Sequence, residues 1–307
     1  MEPVSLKPVR KIPHISVCIC TFQRPNLLAR LLAGLEQQQT EGRFNYSLIV
    51  VDNDRQQTAK QIVHAFASSS ALEVHYEVEP EQNIALARNR AVAQAVGDWI
   101  AFIDDDEWPP RHWLLTLFTA QHTFQADGVL GPVLPHYEVP PPAWVVRGKF
   151  YQRPCPTTGA LLDWTETRTG NALLTRKVFA SADIFFRAEF GSGGEDRDFF
   201  RRAIRHGCQF IWCAEAPVFE TIPPERTRRA FMLRRALLRG AKTPYQRNWL
   251  TYLKPIVAVP VYLAMLPFLF FIRHDLFMKY LIKAFDHLGR LFSLFGFRPI
   301  KETYVMS

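Results

Sequence analysis

Short apolar runs alternate along the first half of the chain with longer segments whose apolar residues recur at helical spacing. The runs rich in β-branched residues predict strands at 14–21, 47–51, 72–78 and 99–103. The helical spacing predicts helices from Pro25, at about 56–67, at 83–96 and from 109 to about 124. Strands that alternate with helices of about 10–15 residues are typical of βαβ units. The pattern therefore predicts an α/β fold with a mostly parallel sheet.

The pattern changes after residue 130. Seven prolines lie between Gly131 and Pro156, among several aromatic residues, which fits a binding-loop region and a surface excursion equally well. Further on, the sequence predicts a strand near 171–175, a helix from Glu195, and a strand pair or edge strand at 208–219.

The charge is unevenly distributed along the 307 residues, of which 48% are hydrophobic and 21% charged. The net charge is +8, but the segment from Pro223 onward has 15 basic and 4 acidic residues, whereas the remainder has 22 basic and 25 acidic residues. A basic tail is typical of proteins that bind phosphate groups, on nucleic acid or on anionic lipid. The five scattered cysteines form no Cys-x-x-Cys pair, which argues against a disulfide framework and a zinc knuckle.

An uncharged stretch in the tail favours lipid over nucleic acid. Residues 255–272 contain no charge and are just long enough to cross a bilayer core. Three prolines interrupt this stretch and basic residues follow it, so we expect a kinked re-entrant or interfacial segment with both ends cytoplasmic. From Leu276 onward the pattern predicts a basic amphipathic helix. The alternative is that both stretches pack on the main domain or on a second subunit. Residues 1–13 lack the apolar core of a signal peptide, so we expect the main domain to stay in the cytoplasm.

Four consecutive acidic residues, 104–107, follow the predicted strand at 99–103. Ligands of parallel sheets bind at the carboxyl ends of strands, and aspartate oxygens are suited to Mg²⁺ or Mn²⁺. Alternate residues of a strand share a side, so Asp104 and Asp106 are candidate ligands of one cation. The alternative is a solvated acidic turn that caps the following helix.

A second candidate lies in GSGGEDRDFFRRA, where glycines precede a predicted helix start. Asp196 is there either a general base on a mobile loop or an N-cap carboxylate.

Taken together, these motifs resemble family 2 glycosyltransferases. ISVCICTFQRP, LIVVDND, IALARNRAVAQA, FIDDDEWPP and GGEDRDFFRR occur in the order and approximate spacing of that family, over residues 13–220. The later segment VFETIPPERTRRAFMLRRALLRGAK is similar to membrane-associated members that build bacterial exopolysaccharides or other surface glycans on lipid carriers. The resemblance implies a GT-A fold, which is Rossmann-like with helices on both faces of the sheet, and an inverting mechanism.

The resemblance also implies residue roles. Donor binding falls to Thr21, Asp52, Arg88 and Asp105, with Asp52 on the uracil side. Asp104 and Asp106 match the metal-binding Asp-x-Asp, and Asp196, with Glu195 beside it, matches the catalytic base. Glu220 stands where many members have a histidine associated with the metal. Residues 246–249 do not fit the Gln-x-x-Arg-Trp of processive synthases, which implies transfer of single sugars.

The sequence thus predicts an inverting transferase that moves one sugar from a UDP-sugar to a lipid-linked saccharide, with Mn²⁺ or Mg²⁺. We expect it on the cytoplasmic face of the inner membrane, in contact with anionic lipid and not with nucleic acid. The expected organisation is a GT-A domain over 1–250, divided at about 107 and 220, and a membrane-associated helical tail over 251–307.

Two alternatives stay open. A nucleotidyltransferase has a similar sheet, although it usually carries a glycine-rich basic loop that CTFQRPN lacks. A non-catalytic membrane-bound module of glycan assembly is the other.

Overall fold

A computed structural model describes residues 12–181, 183–191, 193–241, 250–295 and 297. Residues 246–249, on which the prediction of single-sugar transfer depends, lie outside these ranges, as do residues 1–11 of the N-terminal segment.

Strands and helices alternate over the first half of the chain, as the pattern predicts. The strands are β1 (His14–Thr21), β2 (Asn45–Asp52), β3 (Val74–Val78), β4 (Trp99–Ile103), β5 (Glu107–Trp108), β6 (Gly128–Leu130), β7 (Val133–Tyr137), β8 (Asn171–Thr175), β9 (Phe210–Trp212) and β10 (Val218–Ile222). The helices are α1 (Pro25–Glu36), α2 (Lys60–Ser69), α3 (Ile84–Gln94), α4 (Trp113–Phe124), α5 (Ala143–Arg147), α6 (Glu195–Arg205), α7 (Arg229–Ala241), α8 (Leu250–Ile272) and α9 (His274–Leu294).

Seven strands form one sheet in the order β3–β2–β1–β4–β8–β6–β9. β8 is antiparallel to β4 and β6, whereas β3, β2, β1 and β4 are mutually parallel. The carboxyl ends of the central strands therefore meet at one edge. Thr21 is paired with Asp52 there, and Ile103, which precedes Asp104, is paired with Asn171. The predicted α/β class with a mostly parallel sheet is confirmed.

Side chains alternate between the two faces of the sheet along each strand, and a buried apolar cluster lies on each face. On β1, Ile15, Val17 and Ile19 belong to the core beneath α1 and α4, whereas Cys18 faces the core beneath α3 and α6. Helices therefore cover both faces, and the apolar residues in the middle of β1, β2 and β4 fit a sheet that is buried on both sides.

Helix α2 begins later than the pattern suggests, at Lys60 rather than near residue 56. Asp54 accepts hydrogen bonds from the Gln56 N–H at 3.0 Å and from the Thr58 hydroxyl at 3.0 Å, and Gln57 has a φ of 56°. A side chain that binds nearby backbone competes with helix formation, so these residues form a turn.

The chain divides into two compact units, 1–134 with 153–220 and 135–152 with 221–307. In the second unit α7 packs on α9 at two glycines. A Cβ at Gly240 would lie 2.0 Å from the Asp286 carbonyl oxygen, and a Cβ at Gly289 would lie 2.2 Å from the Leu237 carbonyl oxygen. The backbones approach closely at these points, so the structure groups α7 with the tail helices.

Within the described residues, Leu253–Ile272 is long and apolar enough to cross a membrane, by length and composition alone. This stretch is one continuous helix that contains its three prolines.

Candidate active site

The loops after β1 and β4 are joined by hydrogen bonds and ion pairs. The Thr21 hydroxyl donates to Asp105 Oδ2 at 2.8 Å. One amino group of Arg24 donates to Asp105 Oδ1 at 3.0 Å and to Asp106 Oδ2 at 3.2 Å. Both aspartates are buried, so their negative charges are removed from water. Arg24 compensates these charges.

Asp104, in contrast, is the exposed member of the acidic run. Its side chain is 47% exposed, and its Oδ1 accepts a hydrogen bond from Arg88 Nη2 at 3.3 Å. The other amino group of Arg88 forms an ion pair with Glu195, the first residue of α6. Burial alone would lower the pKa of Arg88, but the carboxylates of Glu195 and Asp104 outweigh it and raise that pKa. Arg88 thus links the acidic strand end to the start of α6.

The local sequence explains this link. Asn83 caps α3 by accepting hydrogen bonds from Ala85 N and Leu86 N, and its amide donates to the Ala188 carbonyl at 3.0 Å. The loop before α6 fits against this cap, because a Cβ at Gly191 would lie 1.9 Å from Asn83 Oδ1. Arg88 lies on the second turn of the same helix and is therefore held opposite Glu195.

Asp196 lies in the first turn of α6 and is half-buried. The N-cap is Gly194, whose φ of 96° favours glycine, and none of the side chains that the structure describes caps the helix. The Asp196 carboxylate accepts a hydrogen bond from the Arg197 N–H at 2.7 Å. It also raises the pKa of Arg88, after Glu195 and Asp104, so it lies within electrostatic reach of the same guanidinium. Asp196 is therefore not the N-cap, and its predicted role as the catalytic base stays a prediction.

A further pair of carboxylates borders Asp104. A Cβ at Gly170 would lie 2.7 Å from Glu107 Oε1 and 3.0 Å from Asp104 Oδ2, so both carboxylates face the space beside this glycine. Glu107 is also directly opposite Glu220 in the antiparallel pair of β5 and β10. Burial and then the neighbouring carboxylates, Asp104 first, raise the pKa of Glu107 well above its usual value. This excess of negative charge favours a cation.

These side chains fit a divalent cation only if substrate phosphates and water complete its coordination. Among the described residues no group of three or more His, Cys, Asp or Glu side chains is arranged to hold a metal. Mg²⁺, however, commonly takes one or two carboxylates together with substrate phosphates and water. The donor set therefore fits a cation that arrives with a diphosphate and takes Asp104 as a ligand. Asp106 is paired with Arg24, so its predicted role as second ligand stays a prediction.

Asp52 is completely buried at the end of β2. Its Oδ1 accepts from the Asp54 N–H at 3.1 Å, and its Oδ2 accepts from the Ala59 N–H at 2.8 Å and from the Tyr76 hydroxyl at 2.9 Å. Burial raises the pKa of the Asp52 carboxyl, although these three hydrogen bonds lower it. The carboxylate thus organises the turn before α2, and its predicted contact with uracil stays a prediction.

Sequence reasoning missed Arg24, Tyr76 and the role of Glu107. A single basic residue in the loop after the first strand was the signal for Arg24. Tyr76 carried no signal, because its partner Asp52 is 24 residues distant in sequence.

Three comparisons with known proteins show what the chain is similar to. The model of glycosyl transferase family 2 matches residues 16–180. The chain is 34% identical over 233 residues to the succinoglycan biosynthesis protein ExoM of Rhizobium meliloti (strain 1021), covering 74% of this chain and 73% of ExoM.

Among solved structures, the chain is similar to S. aureus TarS 1–349 in complex with UDP-GlcNAc, with a TM-score of 0.54 and 16% identity over 94% of this chain and 93% of that one. A longer TarS chain is matched over 43% of its length, with a TM-score of 0.52 and 18% identity. At this identity the likeness concerns the fold alone. The GT-A fold that the motifs imply is thereby confirmed, and the chain belongs to glycosyltransferase family 2.

Proposed function

We propose that this glycosyltransferase transfers a single sugar, with inversion, from a UDP-sugar to a hydroxyl of a lipid-linked saccharide in surface-glycan synthesis. One observation carries the proposal. Arg88 joins Asp104, at the strand edge where donors bind in such sheets, to Glu195, the neighbour of Asp196. A donor-side carboxylate and the first turn of α6, which carries the candidate base, thus lie on either side of one buried guanidinium.

In this proposal Asp196 accepts the proton of the acceptor hydroxyl while that oxygen attacks the anomeric carbon. The attack comes from the face opposite the nucleoside diphosphate, so the bond to the diphosphate breaks and the configuration inverts. A general base of this kind contributes about 10²–10⁴ in rate. The ion pair between Arg88 and Glu195 keeps the first turn of α6 beside the donor edge. Thr21 and Arg24 hold Asp105, in the loop after β4.

A bound Mn²⁺ or Mg²⁺ would neutralise the leaving diphosphate as a Lewis acid. Asp104 would hold it, and Asp106 would join if its ion pair with Arg24 opened.

The similarity to ExoM, a succinoglycan biosynthesis protein, supports a role in surface-glycan synthesis. The likeness to TarS, solved with UDP and with UDP-GlcNAc, supports a UDP-sugar as the donor. A lipid-linked acceptor is supported by the second unit, whose α8 leaves large apolar side chains exposed. The most exposed of them are Val257, Phe268, Phe271 and Ile272, at 58%, 69%, 85% and 59%.

The packing of α8 on α9 favours a helical hairpin that lies in the membrane interface. Phe270 contacts Phe277 with ring centroids 5.2 Å apart, and Tyr262 stacks on His287 at 5.9 Å, so the helices run antiparallel. Asp286, beside His287, forms ion pairs with Arg239 and Arg290. If α8 crossed the bilayer upright, this charged cluster would lie level with Tyr262, near the middle of α8, where charges are costly. We therefore infer attachment to the cytoplasmic surface of the membrane, with anionic lipid as a partner.

The test uses the full-length protein in lipid nanodiscs, a panel of labelled nucleotide sugars, and lipid extract from a glycan-producing bacterium. We expect one UDP-sugar to label a lipid-soluble product by one sugar residue, with an anomeric configuration opposite to that of the donor. Asp183→Asn, an exposed aspartate of the same unit, is the matched control for active-site variants. Release of pyrophosphate instead of UDP would indicate a nucleotidyltransferase, and no turnover with any donor would indicate a non-catalytic module; either result overturns the proposal.

A further inference from the structure

A cavity of about 120 Å³ opens in the first unit, and its lining includes none of the donor-site residues described above. It is bordered by the end of β6, the segment around Cys155, the loop before β8 and the end of β9. Leu130 pairs with Ala172 of β8 and with Trp212 of β9, and Ile103 pairs with Asn171. The cavity therefore lies at the edge of the sheet that also carries Asp104.

Two arginines line this cavity, and they differ in their partners. Arg153 donates to Glu220 Oε2 at 3.0 Å. Arg168 is half-buried and forms no hydrogen bond or ion pair with any residue that the structure describes. An unpaired guanidinium that is partly removed from water is costly, since its five donors lose hydration without replacement. Burial, and next the charge of Arg153, lower the pKa of Arg168, which reflects the same cost.

A second donor lines the cavity without a partner. Trp212 is 7% exposed, and its indole Nε1–H makes no hydrogen bond within the described residues. Buried polar groups are usually satisfied, so an unsatisfied indole N–H and an unpaired guanidinium in the lining of one cavity call for an acceptor from outside the described residues. The Asp196 carboxylate acts on the pKa of Arg168 in the opposite direction but does not outweigh burial and Arg153.

We propose that Arg168 and Trp212 bind an oxyanion group of the acceptor substrate in this cavity, at the sheet edge that also carries Asp104. The inference rests on the proposed function for the identity of the ligand as an acceptor. A guanidinium binds carboxylate or phosphate oxygens through two parallel hydrogen bonds, and an indole N–H adds a third donor. The oxyanion belongs either to the phosphate that links a saccharide to its lipid or to an acidic substituent on the saccharide.

Cys155 provides a readout that does not depend on catalysis. It lines the same cavity and is exposed, whereas Cys18 and Cys213 are buried and Cys20 and Cys208 are half-buried. The alkylation rate of Cys155 by iodoacetamide is measured by peptide mass spectrometry on the full-length protein in metal-free buffer. The probes are inorganic pyrophosphate, glucuronate and, as the neutral control, glucose. For each variant the rate with a probe is divided by the rate without it, which cancels any effect of the substitution on the thiol itself.

We expect pyrophosphate or glucuronate, at about ten times its dissociation constant, to slow alkylation of the wild type about tenfold, because only unoccupied sites react. Arg168→Gln should abolish this protection, Arg168→Lys should retain part of it, and Arg205→Gln, an exposed arginine of α6, should retain all of it. Protection by pyrophosphate assigns the oxyanion to the lipid linkage, and protection by glucuronate assigns it to an acidic sugar.

Equal protection by glucose, no protection by either anion, or undiminished protection in Arg168→Gln would overturn the proposal. Thermal unfolding of each variant, and the wild-type probe series itself, keep the test valid if Arg168→Gln folds poorly. Sugar transfer is assayed on the same samples. Transfer without protection overturns the oxyanion site alone, whereas protection without transfer overturns the proposed function and retains the site.

Discussion

Arg88 donates a hydrogen bond from one amino group to Glu195 on α6 and from the other to Asp104 at the end of β4. The arginine is 7% exposed and Glu195 is 5% exposed, so the ion pair between them is buried. Asp104 remains half-exposed at the donor edge. The position of α6, and with it Asp196, therefore depends on a buried charge pair rather than on apolar packing alone.

Removal of Arg88 should leave Glu195 buried without a partner. We expect Arg88→Met to lower the free energy of unfolding by about 3–5 kcal/mol, the usual cost of breaking a buried ion pair. Arg88→Met combined with Glu195→Met should recover most of that loss, because no uncompensated charge remains. Sugar transfer should not recover, since the link to Asp104 is still missing. Urea unfolding and the transfer assay measure the two quantities. Additive losses of stability would show that the pair is not coupled.

Asp196→Asn should separate chemistry from folding. Gly194 caps the helix, so the substitution removes the base without removing a cap, and the melting temperature should change little. We expect turnover to fall about 10²–10⁴-fold with UDP-sugar affinity preserved. Asp183→Asn is the control and should retain full turnover. A lower melting temperature together with wild-type turnover in Asp196→Asn would make Asp196 a structural residue.

The proposed cation should depend on Asp104 more than on Asp106. A chelator should stop transfer by the wild type, and Mn²⁺ or Mg²⁺ should restore it. Asp104→Asn should abolish metal-stimulated UDP binding, measured by calorimetry with and without the cation. Asp106→Asn neutralises one of the two carboxylates that Arg24 contacts. A comparable loss of metal-stimulated UDP binding in this variant would show that Asp106 separates from Arg24 and itself binds the metal. Full activity in the presence of chelator would contradict metal dependence.

The contact of Asp52 with the nucleotide needs a control for stability. Asp52→Asn disturbs a carboxylate that accepts three hydrogen bonds, so we expect some destabilisation whatever its role. Tyr76→Phe removes one of these hydrogen bonds and leaves the carboxylate in place. If Asp52 binds the uracil of the donor, the affinity for UDP should fall in Asp52→Asn and stay near the wild-type value in Tyr76→Phe. Equal effects of both variants on affinity would assign Asp52 to the turn alone.

The sequence predicted the long buried strands and missed β5 and β6, for a physical reason. β1 and β2 have eight residues each, enough for an apolar run to be recognised, whereas β5 has two and β6 three. Such strands form because neighbouring strands supply their hydrogen bonds, which no local pattern records.

The candidate site shows the same difference. The motifs identified Asp104, Arg88 and Asp196 individually. The link from Asp104 through Arg88 to Glu195, the neighbour of Asp196, depends on contacts across 16 and 107 residues of sequence. The unpaired state of Arg168 is likewise visible only once its surroundings are folded.

The last prediction concerns the exposed face of α8. Phe268 and Phe271 are 69% and 85% exposed, so their replacement should leave the fold of the second unit intact. Each buried aromatic side chain contributes about 1.5–3 kcal/mol on transfer from water. We therefore expect Phe268→Ser with Phe271→Ser to weaken binding to vesicles of phosphatidylglycerol and phosphatidylethanolamine by about two orders of magnitude in sedimentation assays. Ala264, also exposed on α8, provides the control Ala264→Ser, which should bind as the wild type does.

Because the antiparallel packing of α8 and α9 favours an interfacial hairpin, Ser307→Cys in intact cells should resist an impermeant thiol reagent applied from outside. Labelling of that cysteine from outside would demonstrate a single span and contradict the interfacial hairpin.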